Sequence, residues 1–218
     1  MNSTLNRLIK ITSPSIQSGL FIGLGGALFL TVGGVIGAIG FSFGLLAVVH
    51  NKKPLFTGKT GFCESSKDLK ELPLILLLNI IGTVIIGVII KQANPKLITI
   101  ANELALSRLS LTPVQVILKA FCCGFIMTTV VKSAREDKYL PLLFGVPLFI
   151  LCGFIHCIAD AFYYSVCDLT ILTNNVLKFT FVYILSVLGN FIGCVTPNII
   201  NGSIYLNSSS NNVQNNQG

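Results

Sequence analysis

The stretch Gly153-Phe154-Ile155-His156-Cys157-Ile158-Ala159-Asp160 decides how this chain is read. It lies inside a long apolar run, Leu140–Tyr163, yet carries a histidine and an aspartate four positions apart, on one face of a helix. These two are read as the only ionisable side chains deep in an apolar segment. Such groups are costly at membrane depth unless a cavity or a partner accepts them, so they point to a functional pathway. The plainer alternative is structural: Asp160 pairs with His156 or with a backbone group and pins two helices together.

The composition around this stretch supports membrane depth. Only 11% of the 218 residues are charged, 52% are hydrophobic, and the mean hydropathy is +0.79. A soluble domain carries roughly 25% charged residues, so a water-facing surface is excluded. The net charge of +7 forms no basic stripe. The cations stand in short clusters between apolar runs, as in loops flanking membrane spans, and no nucleic-acid partner is implied. Of the seven cysteines, Cys122, Cys123, Cys152, Cys157 and Cys194 lie within apolar runs and read as small hydrophobes rather than a disulfide or zinc framework. No cofactor loop is present. The polar start, Met1–Lys10, leads into apolar runs without an A-x-A pattern, so no cleaved signal peptide is expected.

Six apolar segments are long enough to consider: Ile16–Val32, Gly33–Val49, Leu72–Ile90, Val114–Val131, Leu140–Tyr163 and Val176–Val195. The expected fold is an all-α integral membrane protein of six spans. Its parts would be a cytoplasmic N-terminus (1–15), a six-span domain (16–196) and a cytoplasmic, largely disordered tail (197–218). The first two segments abut, with Gly33, Gly34, Gly37 and Gly40 at the junction, and predict a tight turn near Thr31–Gly34. The second is short and continues into polar sequence. Polar backbone at that depth survives only where protein buries it or where it lines a wet cavity, which predicts an interrupted helix at Leu55-Phe56-Thr57-Gly58.

With the N-terminus inside, Arg7, Lys10, Lys67, Lys70, Lys132, Arg135 and Lys138 fall on the cytoplasmic side. The loops left outside, Lys91–Pro113 and Ser165–Asn175, hold fewer cations: Lys91, Lys96 and Arg108. The positive-inside rule then places both termini in the cytoplasm.

An internal repeat supports the same layout. Asn79-Ile80-Ile81-Gly82 in the third segment is matched by Asn190-Phe191-Ile192-Gly193 in the sixth, each closing a group of three spans. Three spans per half invert the second half relative to the first, and inverted repeats place their solute path between the halves, lined by broken helices. The break at Phe56 then finds its partner at His156. Phe149 lies seven residues before His156, and Phe41 and Leu45 are i,i+4 neighbours. At helical spacing such residues usually just pack; facing a wet histidine they would form a hydrophobic constriction.

Leu55-Phe56-Thr57-Gly58 resembles the re-entrant loop of the formate/nitrite transporter family. The stretch from Gly153 to Asp160 resembles that family's Gly-Phe-x-His-x-Ile-Ala-Asn signature. Ser18-Gly19-Leu20-Phe21-Ile22-Gly23-Leu24-Gly25-Gly26 is similar to its first helix, and the Asn-x-x-Gly groups fit its third and sixth. The match runs from about Gln17 to Thr196. It implies an aquaporin-like six-span protomer with an inverted repeat, five protomers forming a ring and each having its own pore. It further implies that His156 faces the pore with Thr57 hydrogen-bonding near it, and that Asn190 is the family asparagine of the sixth helix. The cytoplasmic-side constriction would be Phe41, Leu45 and Phe149, the outer one would include Phe56, and Arg108 would stand for a basic residue that attracts anions. Three departures stand out. Asp160 replaces the family's asparagine, Gly124 replaces an asparagine of the fourth helix, and the stretch after Gly58 is short and charged, with Lys59, Glu64, Lys67 and Asp68.

The resemblance implies passage of small monovalent anions of weak acids, such as formate, nitrite or hydrosulfide, with protons as partners. Histidine, with an ordinary pKa of ~6.5, exchanges protons near neutrality. Either His156 donates the proton directly, or His156 and Thr57 polarise the solute while water supplies it. Lys52, Lys53 and Lys59 could draw anions to one mouth. The competing class is an aquaporin-like channel for small neutral solutes, although the only Asn-Pro, Asn94-Pro95, falls in a loop. An enzyme is not expected, since neither an H-E-x-x-H nor a cofactor loop is present.

Overall fold

The computed structural model describes residues 3–200, with side chains from Lys10 to Ile200. Residues 201–218, which include most of the expected tail, lie outside the described residues, as does the side chain of Arg7. The described chain is helical: α1 (Ser3–Val32), α2 (Gly34–His50), α3 (Phe56–Thr60), α4 (Ser66–Ala93), α5 (Leu97–Leu109), α6 (Pro113–Arg135), α7 (Leu140–Leu151), α8 (Cys157–Val166), α9 (Leu169–Asn174) and α10 (Val176–Ile200). Among the described residues, α1 (over Lys10–Val32), α4, α6 and α10 are long and apolar enough to cross a bilayer. The apolar α2 and α7 are shorter.

Local chemistry sets these boundaries. Gly33 (φ 67°) and Gly34 (φ 53°) occupy the left-handed region that glycine adopts without strain, and they turn α1 into α2 at the expected junction. Ser65 and Asp68 form a reciprocal capping box at the start of α4. Thr112 and Gln115 do the same for α6, with Pro113 in the first turn. One expectation needs correction. The segment Lys91–Pro113, read as a plain loop, contains the three-turn helix α5, whose Leu97, Ala101, Ala105 and Leu109 form a buried stripe at i, i+4 spacing. Helix α10 runs through Pro197 to Ile200.

The two halves share one set of interactions. Asn79 on α4 accepts from the Phe56 N–H (2.8 Å) and donates to the carbonyls of Pro54 (3.1 Å) and Ser15 (2.8 Å). Asn190 on α10 accepts from the Cys157 N–H (2.8 Å) and donates to the carbonyls of Ile155 and Ala120 (2.7 Å each). Each asparagine therefore satisfies the freed backbone on either side of a helix break and ties it to the first long helix of its half. The glycines repeat too. A Cβ on Gly19 would overlap the Asn79 carbonyl and one on Gly124 the Asn190 carbonyl, so α1 packs on α4, and α6 on α10, at backbone contact. Small residues that let backbones touch are how helices associate where lipid removes the hydrophobic driving force. The close approach leaves no room for a side chain at Gly124.

Between the halves, α2 and α7 pack antiparallel. Phe41 meets Phe149 edge-on with ring centroids 6.1 Å apart, and His50 at the far end of α2 meets Tyr139 just before α7, at 6.4 Å. The α2–α3 bend and the α7–α8 bend therefore lie toward opposite ends of the bundle, and the short helices α3 and α8 start near its middle.

Candidate functional site

At the middle, the structure brings together Thr57, the second residue of α3, and His156, the residue before α8. Thr57 Oγ1 lies 2.9 Å from His156 Nε2, and both side chains are buried. The ring is held from two further directions. His156 is the N-cap of α8: its Nδ1 accepts the Ala159 N–H at 3.1 Å. Phe149 stacks on its face, with centroids 5.8 Å apart and planes 24° apart.

These contacts settle the tautomer. A nitrogen that accepts an N–H carries no proton, so Nδ1 is bare and the neutral ring holds its hydrogen on Nε2. Nε2–H then donates to Thr57 Oγ1. The Thr57 hydroxyl hydrogen remains available to a third group, because His156 is its one hydrogen-bond partner among the described residues. A helix N-cap with extended backbone (φ −107°, ψ 108°) fixes the ring's direction better than a mid-helix rotamer would.

Phe41 and Phe149 form an aromatic layer beside His156, and Leu45 lies one turn further along α2. All three are buried. Beyond Leu45 a cavity of about 530 Å³ opens toward the α2–α3 end, lined by Leu45, Val48, Leu55 and Gly58. Lys52, Lys53, Lys59 and Arg135 on its wall outnumber Glu71 and Asp137. Lys59 is held by Asp68 at 3.1 Å, and the Arg135 guanidinium lies 3.7 Å over the Phe62 ring. Phe56, expected at the other constriction, is buried as the first residue of α3, and the ring contacts among described residues join Phe41, Phe149 and His156 without it.

Asp160 does not pair with His156. Its Oδ2 accepts from Arg108 Nε at 3.2 Å and from the Tyr164 hydroxyl at 3.5 Å, while its Oδ1 is buried without a partner. The Arg108 side chain is only 12% exposed and also reaches the Gly153 carbonyl through Nη1 at 3.4 Å. Arg108, expected to attract anions, is thus ion-paired and is delivered by α5, the helix read as a loop. Lys119, half-buried, lies on α6 within the apolar run Val114–Val131, so His156 and Asp160 are not the only ionisable residues inside an apolar segment. Its Nζ donates to the same Gly153 carbonyl, at 3.4 Å. A cation inside an otherwise apolar span was the signal that marked it.

The sequence matches the formate/nitrite transporter family over residues 2–200. The fold is similar to that of a pentameric formate channel with formate bound, with a TM-score of 0.78 and 21% identity, covering 92% of this chain and 98% of that one. It is also similar to an FNT family ion channel, with a TM-score of 0.81 and 19% identity over 91% of each chain. No curated relative matches the sequence. Since the family match takes in nearly the whole described chain and the likeness in fold is as extensive, this multi-pass membrane protein belongs to the formate/nitrite transporter family, whose members are channels and transporters rather than enzymes.

Proposed function

We propose that this chain is an anion channel passing small weak-acid anions, such as formate, nitrite or hydrosulfide, through a pore in each protomer of a homopentamer. The six spans form an inverted 3+3 repeat in a plasma membrane, with both termini cytoplasmic and the 530 Å³ cavity as the inner vestibule. The duplicated asparagine networks and the antiparallel pairing of α2 with α7 support this arrangement. The resemblance to a pentameric formate channel supports the assembly and the substrate class.

The observation that carries the reading is the Thr57–His156 contact at 2.9 Å, made between two half-helices and capped by the Phe149 ring. An anion drawn into the vestibule by Lys52, Lys53 and Arg135 meets the Leu45 and Phe41–Phe149 layers, which offer nothing to replace its water. It crosses as the neutral acid. At the middle, the Thr57 hydroxyl donates toward the solute while His156 Nε2–H donates to Thr57, so the two dipoles add along one line. Direct donation by the imidazolium would first set an Nδ1–H against the Ala159 N–H and break the N-cap. The geometry therefore favours the version in which His156 and Thr57 polarise the solute and water brings the proton. Uptake then rises at acidic pH. Asp160 stays with Arg108, one turn from His156, and Asn190 holds the break in shape.

The test is flux of a weak-acid panel in proteoliposomes. His156→Phe abolishes pH-dependent formate flux; flux that persists unchanged removes His156 from the mechanism. Permeability to neutral solutes alone would favour the aquaporin-like alternative.

A further inference from the structure

The half-helix α3 is gripped by the last turns of α10. A helix this short leaves its final carbonyls without partners of its own, and two of them are met from α10. Cys194 Sγ donates to the Thr57 carbonyl at 3.2 Å, and the Asn198 amide donates to the Gly61 carbonyl that caps α3. The same turn is fixed from α6, where Thr128 Oγ1 donates to the Cys194 carbonyl at 2.8 Å. A Cβ on Gly61 would meet both Thr128 Oγ1 and that carbonyl, so α3 ends at backbone contact with α10. Thr57, Thr128 and Cys194 are all buried.

The other half has no such grip. Cys194 follows Asn190 at the spacing by which Thr83 follows Asn79, and Asn198 takes the place that Gly87 holds in α4. Thr83 donates to the Ile80 carbonyl of its own helix at 2.8 Å. Gly87 has no side chain, and a Cβ there would sit 3.4 Å from the Phe162 carbonyl, the counterpart of the Gly61 carbonyl. At these two places, side chains hold the half-helix that carries Thr57 and not the one that follows His156.

We infer that Cys194 is the positioning residue of Thr57, with Asn198 as the second point of the grip, so that α10 sets where the Thr57 hydroxyl is aimed. This rests on the anion-channel reading above. A single helical turn has little stiffness of its own. Thr57 is therefore held from outside on two sides: its hydroxyl by His156 Nε2 at 2.9 Å and its carbonyl by Cys194. Fixing that carbonyl fixes the plane of the following peptide, and the Cα–Cβ bond that carries the hydroxyl turns with it. The staggered wells of the side chain then leave few directions, one of which meets Nε2. A thiol is a weak donor, so its contribution is direction rather than strength.

The test measures initial formate flux against formate concentration, with the full chain in proteoliposomes. Cys194→Ala should lower the maximal flux about 3- to 10-fold, the factor to which the net worth of one hydrogen bond converts. The half-saturating concentration should stay at the wild-type value, because the vestibule is untouched. Cys194→Ser keeps a donor of similar size and should retain most of the flux. The decisive arm repeats Cys194→Ala in Thr57→Val protein. A residue that acts through the Thr57 hydroxyl has nothing left to act on there, so flux should drop no further. The same fold-loss in both backgrounds would overturn the proposal in favour of plain packing, as would equal losses in the Ala and Ser variants. Wild-type maximal flux in Cys194→Ala would overturn it too, while leaving the channel reading in place. Thermal unfolding in detergent reports the fold, and if Cys194→Ala is unfolded the same cycle is decided with Asn198→Ala, at a half-buried position. A wild-type protein passing neutral solutes but no formate would overturn the channel reading and this proposal together.

Discussion

The Thr57 hydroxyl lies 2.9 Å from His156 Nε2 although 99 residues separate them in the chain. Each is carried by a short helix that starts in the middle of the bundle, and each helix start is held by an asparagine from a different long helix, Asn79 for α3 and Asn190 for α8. The contact is therefore set by the meeting of two half-helices rather than by any local motif.

Thr57→Val is the direct probe of that contact. Valine keeps the shape but leaves Nε2–H without its buried acceptor, which costs about 1–3 kcal/mol, and removes the hydroxyl proposed to face the solute. Formate flux should fall at least tenfold, while Thr57→Ser should retain most of it. Parallel flux and thermal-unfolding measurements separate the loss of chemistry from the loss of fold. A valine variant with full flux would mean that the hydroxyl plays no part.

Asn190→Ala should destabilise the protein more than most single changes. Three buried backbone groups lose their partner at once: the Cys157 N–H and the carbonyls of Ala120 and Ile155. Each orphaned group costs about 1–3 kcal/mol. Asn190→Asp should also fail, because a carboxylate cannot donate to the two carbonyls. Asn79→Ala should show a loss of similar size, since it breaks the matching network. Thermal unfolding in detergent checks all three. Markedly unequal alanine losses would show that the two networks are not energetically equivalent.

Much of this arrangement was legible in the sequence because it rests on rare residue types. Glycine pairs, two Asn-x-x-Gly groups and a histidine in an apolar run each restrict the backbone or carry a cost in lipid, so they stand out without an alignment. The turn at Gly33 and both breaks follow from them. Helix α5 was not legible. Asn102, Glu103 and Arg108 lower its hydropathy between the stripe positions, it follows a polar Asn94-Pro95 turn, and its tertiary packing, mainly against α8, supports helix there. With α5 read as a loop, the reach of Arg108 to Asp160 could not be seen. Lys119 was missed because one cation does little to the average hydropathy of its segment.

Phe149 links the aromatic layer to the histidine, with its edge contact to Phe41 and its face on the imidazole. Phe149→Ala should remove both contacts and open a gap beside His156. The expected result is loss of selectivity: anions larger than formate pass, and flux becomes less dependent on pH because hydrated ions slip through. A large-to-small change of this kind in a packed interior costs about 3–5 kcal/mol, so Phe149→Leu serves as the control that keeps the bulk. Anion-panel flux in proteoliposomes reads the outcome. Unchanged selectivity in the alanine variant would place the narrow point elsewhere.

The Arg108–Asp160 pair admits a double-mutant cycle. Both side chains are sequestered, at 12% and 2% exposure, so removing one leaves an uncompensated charge in a poorly hydrated site. Arg108→Gln alone should cost about 3–5 kcal/mol, since Asp160 Oδ1 already lacks a partner and Oδ2 would keep only the Tyr164 hydroxyl. Asp160→Asn supplies the residue that the family signature has at this position. In the double variant the asparagine and glutamine side chains can hydrogen-bond without a charge, so most of the loss should be recovered. Thermal unfolding of the four proteins gives the coupling. Strictly additive losses would mean that the two charges do not stabilise one another, and that Asp160 is held at its depth by α8 alone.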